Sequence, residues 1–323
     1  MAMRYRFNNV LFAALNDSPD PPPQLADAVE FTRRTNASMT LFDSIAPMSR
    51  IQRTLRFGDK AIGDFDFVAA ARGEQLRSWA DEHRARLKMG DIVGTGRRSA
   101  AINRRVADAL HDLVIVAPNG NADDISVVRR LIRTVPCPLL VLKGPMLNGN
   151  VIAAVDPDDD LDLNIMITST AQTLAAAAQR SIHLVHAYEP HGMRMLRAVD
   201  LTDLTTARID TFVDKARDGH RAALNELAEQ IGLDNTVASH VEVGTPLDVI
   251  ARSAVELEAS LVVVGAGGHS GMPAMLIGST AERIVTTIAE STLIVKAPGF
   301  VPAEDDDDWF SSGALRAMTP AVA

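Results

Sequence analysis

The sequence is poor in cysteine, aromatic residues, long apolar runs and excess positive charge, and each shortage excludes something. Cys137 is the only cysteine in 323 residues, so no internal disulfide can form. That usage fits a reducing compartment. Cys137 lies in VPCPLLVL, where it reads as a small buried hydrophobe before a strand rather than a reactive thiol. Aromatic residues make up 4% of the chain against 47% for all hydrophobic residues, so the cores must be built from Ala, Val, Leu and Ile. Such residues suit parallel strands covered by helices on both faces. No segment approaches the roughly 20 apolar residues that span a bilayer, and the run Leu174–Ala178 reads as helix core. The opening stretch, MAMRYRFNNVLFAALND, has too short an apolar segment for a secretory signal, so the reading places the protein in the cytoplasm. The net charge of −9 argues against non-specific nucleic-acid binding. The basic pairs Arg97–Arg98 and Arg104–Arg105 read as solvated faces.

What is present is a glycine pattern. Gly265, Gly268, Gly278 and Ser279 spell G-x2-G-x9-G-S in GAGGHSGMPAMLIGSTAERI. The segment starts where the apolar run Leu261–Val264 stops and ends where a helical pattern, Ala281–Ala289, begins. Glycines let backbone N–H groups approach a phosphate, and a helix N-terminus adds positive potential. Ser279 and Thr280 can cap the helix or donate to a phosphate oxygen. The plainer alternative is that the glycines only make turns and Ser279 only caps.

The chain also reads twice. Strands are expected at Asn9–Leu15, Ser38–Asp43, Leu113–Ala117 and Leu139–Leu142, and again at Asn150–Val155, Ile182–Tyr188, Leu261–Val264 and Thr292–Val295. A further strand in each half follows a long helix, near Phe65–Lys88 and Leu204–Ile231. Strands alternating with helices imply parallel sheets with right-handed crossovers. The expected fold is two tandem doubly wound, Rossmann-like, five-stranded parallel-sheet domains forming an intramolecular pseudo-dimer. The domains are residues 1–145 and 146–299, and 300–323 is an acidic, disordered tail.

This layout resembles the universal stress protein family, as two tandem family domains covering nearly the whole chain. The glycine motif carries most of the resemblance, supported by VIAAVD, IHLVHAYE and VEVGTPLDVIARSA. In ATP-binding members that motif holds ribose and phosphates. The resemblance implies that Asp156 contacts the adenosine part and that the backbone of Ala187 reads adenine. It implies phosphate contacts from Gly265, Gly268, Gly278, Ser279 and Thr280. ATP is the implied ligand, with or without Mg²⁺, and the implied role is a stress-response sensor or adaptor with an unidentified protein partner. Single-domain members pair through their last strands, which here implies pairing of Leu139–Leu142 with Thr292–Val295; further homo-oligomerisation is left open. The first half departs from the motif. Ala117 stands for the first glycine, Ile125–Ser126 for Gly-Ser and Asn16 for Asp156, so that half is expected to bind no nucleotide and to act structurally.

No Lys or Arg lies between Gly265 and Glu282, so the loop has no counterpart of the P-loop lysine. Hydrolysis is therefore expected to be slow or absent. The apolar stretch Gly271–Ile277 motivates a rival reading, an apolar or acyl-bearing metabolite; a genuine ATPase is the other. His183 and His186 fall on opposite faces of one strand and are a poor metal pair. His111, His220 and His240 have no partner at ligand spacing, and His269 reads as an exposed loop residue.

Overall fold

The structure, a computed structural model, describes residues 6–15, 18–45, 61–189, 206–233, 237–266 and 279–303, with side chains from 67, 213 and 280 onward in the helices that open three of these segments. The chain divides into two compact units whose bodies are Phe7–Leu139 and Leu140–Gly299. The acidic stretch 304–323 and Asn16 lie outside the described residues.

The first unit runs β1 (Asn9–Ala13), α1 (Leu25–Arg34), β2 (Ser38–Ile45), α2 (Ala61–Asp81), β3 (Met89–Thr95), α3 (Arg98–Ala109), β4 (Leu113–Val116), α4 (Ala122–Thr134) and β5 (Leu139–Val141). Its strands lie in the order β3-β2-β1-β4-β5. The second unit repeats the plan with β6 (Asn150–Ala154), α5 (Leu161–Ala178), β7 (Ile182–Tyr188), α6 (Thr206–Ile231), β8 (Ala238–Val243), α7 (Pro246–Glu256), β9 (Ala259–Ala266), α8 (Ser279–Thr287) and β10 (Ser291–Lys296). Its order is β10-β9-β6-β7-β8, and its neighbouring strands pair parallel.

Burial explains the composition. Strands β4 and β10 are buried at every position, as strands covered on both faces must be. The edge strands β3 and β8 alternate towards solvent. Cys137 departs from expectation: it is half-buried, because β5 starts only at Leu139.

Local chemistry sets the helix starts that matter for function. Thr245 caps α7 by accepting from the Asp248 N–H at 3.3 Å, while its own hydroxyl donates to the Asp248 carboxylate at 2.7 Å. Pro246 follows at the first helical position, where its missing N–H costs nothing. In the first unit Asn121 accepts from the Asp124 N–H at 2.8 Å, so α4 starts at Ala122, only five residues after Ala117. Ile125 and Ser126 therefore lie inside that helix rather than in a phosphate loop.

Candidate functional site

Strand β6 is where the second sheet reverses its order. The chain leaves it for β7 on one side, and β9 later fills the other side. Such a switch point opens a crevice beyond the carboxyl end of the strand. Strand β6 ends early here. The last bonds at that end include Val155 N–H to Val185 O, at 3.1 Å. The N–H and C=O of one strand residue point to the same edge, and alternate residues share that edge. Val185 faces β6, so Ala187 also turns its peptide groups that way, past the end of β6. On the other side, Ala297 N–H donates to Ala266 O at 3.2 Å, so Ala266 faces β10. Gly265 must then face β6. The backbones of Ala187 and Gly265 thus flank one gap at the end of β6.

Asp156 stands in that gap at the head of the loop after β6. Its side chain is half-exposed, and its Oδ1 accepts from the Asp158 N–H at 3.1 Å. The backbone is clamped by Asn164 of α5. Asn164 Oδ1 accepts from the Asp156 N–H at 3.2 Å, and Asn164 Nδ2 donates to the Asp156 carbonyl at 2.8 Å. Asn164 is fully buried. Sequence reasoning missed this positioning residue, although an asparagine between Leu163 and Ile167 on a buried helix face is a usable signal. Asp160 was equally legible: it caps α5 by accepting from the N–H groups of Asp162 and Leu163.

Gly265 has a second constraint. A Cβ there would sit 2.9 Å from Leu163 Cδ2 and 3.1 Å from Ile167 Cδ1. The close approach of α5 to β9 is enough by itself to require glycine. Ser279 and Thr280 are the first two residues of α8, and Thr280 is exposed. Gly268, Gly278 and His269 lie outside the described residues.

The histidines acquire partners that spacing could not reveal. His186 Nδ1 lies 3.2 Å from Val155 O, and His186 Nε2 lies 3.1 Å from His220 Nδ1. A carbonyl can only accept, so His186 Nδ1 carries the proton, its Nε2 accepts, and His220 Nδ1–H donates. The Tyr188 ring packs on His220, with centroids 4.3 Å apart. On the opposite face His183 Nδ1 pairs with His240 Nε2 at 3.2 Å. Among the described residues, no group of three or more His, Cys, Asp or Glu is placed to hold a metal ion.

Burial pushes the His186 imidazole below its ordinary value against the pull of Asp156, and burial does the same to His183 and His111. A depressed folded-state value means that the unfolded chain takes up protons first. The stability these groups contribute is therefore complete above the ordinary histidine range near 6.5 and is lost as pH falls below it. His186→Phe is expected to make stability less steep between about pH 6.5 and 5. Thermal melts across that range check this; an unchanged slope would show that His186 is not among the groups that titrate.

The fold and this cleft define a doubly wound parallel α/β protein with a crevice at the switch point of its second sheet. Residues 149–296 match the family model described as "Universal stress protein family". The chain is similar along most of its length to universal stress protein E of Escherichia coli K12, 25% identical over 320 residues, 94% of this chain and 98% of that one. A universal stress protein E homolog of Haemophilus influenzae is 26% identical over 322 residues, 94% of this chain and 100% of the relative. In fold, a universal stress protein from Archaeoglobus fulgidus superposes with a TM-score of 0.61 at 17% identity, covering 90% of this chain and 99% of that one.

Proposed function

We propose that the protein is a stress-response sensor or adaptor of the cytoplasm whose second half binds ATP. The observation that carries this reading is the pair of backbone edges, Ala187 and Gly265, that flank the end of β6 beside the Asp156 loop. Peptide groups free of a neighbouring strand suit the hydrogen-bonding edge of a purine. Asp156, held by Asn164, is the acceptor assigned to the ribose hydroxyls. Gly265, Gly268, Gly278, Ser279 and Thr280 are assigned to the phosphates, with the N-terminus of α8 adding positive potential. A Mg²⁺ ion would arrive with the triphosphate.

The same residues argue for a sensor over an efficient ATPase. No Lys or Arg occurs from Gly265 to Glu282, so phosphate charge would be met by N–H groups, hydroxyls and the helix dipole. Those suffice for binding and do little for a phosphoryl-transfer transition state. Occupancy would change the surface shown to a protein partner. The test is to denature purified, undialysed protein and identify what it releases by mass spectrometry. ATP or ADP in near-stoichiometric amount is expected; an apolar metabolite in its place would transfer the site to that ligand and reduce Ser279 to a helix cap.

A further inference from the structure

Strand β7 and helix α6 are joined by two imidazoles that the nucleotide reading does not use. His186 Nε2 and His220 Nδ1 lie 3.1 Å apart. Two imidazole nitrogens bound at about 2.0–2.1 Å to one tetrahedral zinc ion stand about 3.3 Å apart. The pair is therefore already close to the separation of two ligands of one metal. The His186 ring is also oriented as a ligand. A metal-binding histidine donates its other ring N–H to a carbonyl or carboxylate, which fixes its tautomer. His186 Nδ1–H donates to Val155 O at 3.2 Å, and the Asp156 carboxylate lies 3.8 Å from the same nitrogen. Nε2 is left with a bare lone pair directed at His220.

The surroundings hold both rings. His186 is buried, and the Tyr188 ring packs on His220 with centroids 4.3 Å apart. His220 is half-buried, and its helix neighbours Asp218, Gly219 and Arg221 are exposed, so solvent lies on the α6 side. Arg217, one turn before His220, pairs with Asp214 at 3.4 Å. Burial holds the His186 imidazole below its ordinary value, so protons compete weakly with a metal there at neutral pH. The second imidazole pair lacks these features. His183 Nδ1 and His240 Nε2 are 3.2 Å apart, but a metal on that Nδ1 would require the proton on His183 Nε2. That nitrogen is buried, and among the described residues it has no hydrogen-bond partner. An unpaired buried N–H is costly, which disfavours the tautomer a metal would need.

We propose that His186 and His220 bind a zinc(II) ion between β7 and α6, with water completing its coordination. His220 then carries its proton on Nε2 in place of Nδ1, a tautomer change that releases no proton. Imidazole donors select zinc and its transition-metal neighbours over Mg²⁺, which takes oxygen ligands. Two protein ligands make a weaker, more exchangeable site than the four of a structural zinc. The ion ties β7, the strand that carries Ala187, to the long helix α6. The proposal is independent of the nucleotide reading, since none of the residues assigned to ATP is a ligand and the metal is probed without nucleotide.

The experiment titrates Zn²⁺ into the full chain, freed of metal and nucleotide, by isothermal calorimetry. Saturable binding of Zn²⁺ is expected, with a rise in melting temperature as the metal is added. His220→Gln is expected to weaken it at least about tenfold, the lower end of what even outer-shell changes cost a metal site. Glutamine is a good helix former, so α6 is retained. His240→Gln, which breaks the other pair, is expected to leave the affinity unchanged. A second measurement needs no variant: imidazole NMR signals of His186 and His220 should shift with Zn²⁺, and those of His183 and His240 should not. No saturable Zn²⁺ binding overturns the proposal. Equal affinity in the parent and His220→Gln overturns it too, as does a loss confined to His240→Gln or a shift confined to His183 and His240.

Discussion

Arg72→Met is expected to destabilise the first half by about 3–5 kcal/mol, the usual cost of leaving one buried charge without its partner. The pair it breaks is deeply placed: the side chains of Arg72 and Asp43 are 9% and 4% exposed, and they meet at 2.7 Å. Asp43 also accepts from the Ser44 N–H at 2.7 Å, so its carboxylate is locked in place on strand β2. Burial pushes the Asp43 carboxyl above its ordinary value even against Arg72 and Arg98, which says how much the surroundings resist an uncompensated charge there. Arg72 further stacks over Trp79 at 5.0 Å, so the substitution should also change tryptophan emission. Pairing Arg72→Met with Asp43→Leu is expected to recover most of the loss, since a buried ion pair replaced whole by apolar residues is often neutral. Urea unfolding of the parent, the single variant and the double variant checks both statements. A single-variant cost under about 1 kcal/mol is what a surface pair gives, and it would contradict the burial described.

Gly265→Ala is expected to cost about 1–3 kcal/mol, because the added methyl group overpacks the contact between β9 and α5. The new carbon would lie 2.9 Å from Leu163 Cδ2 and 3.1 Å from both Leu163 Cγ and Ile167 Cδ1. Leu163→Ala vacates most of that space. In the double variant the two costs should therefore not add, and the shortfall measures the clash directly. Simple additivity would show that α5 shifts freely and that Gly265 is kept for something other than packing. The α5 contact needs no ligand, whereas the backbone of Gly265 faces the end of β6. Glycine here serves a side-chain clash on one face and an open backbone edge on the other.

The strand–helix alternation was legible because both sheets are covered on both faces, which writes each strand as an apolar run. Strand β7 falls on Ile182–Tyr188, as the pattern predicts. Strand β9 extends beyond Leu261–Val264 at both ends, to Ala259 and Ala266, because its outer residues are Ala, Ser and Gly and carry little apolar signal. Helix α2 stops at Asp81, before the expected Lys88, since the chain turns through the Ala80 and His83 carbonyls. The site was legible in part. Asp156, Ala187 and Gly265 lie at the carboxyl ends of β6, β7 and β9, which the order of elements requires. What sequence could not supply is tertiary pairing. Asp43 meets Arg72 across 29 residues, His186 meets His220 across 34 and His183 meets His240 across 57, and no local spacing encodes such partners. One regularity emerges only by comparing the halves. Val155 N–H bonds Val185 O as Ala14 N–H bonds Phe42 O, so His186 and Asp43 hold matching positions. The link from second strand to long helix is a histidine pair in one half and an ion pair in the other.

The central claim is that the second half binds ATP through its glycine motif while the first half does not. Isothermal titration of ATP into the full chain, with and without Mg²⁺, tests it against two variants, Gly278→Val and Gly120→Val. Binding of one nucleotide per chain is predicted for the parent and for Gly120→Val, and loss of binding for Gly278→Val in a protein whose circular dichroism is unchanged. Normal ATP binding by folded Gly278→Val, or loss of binding in Gly120→Val, would contradict the account.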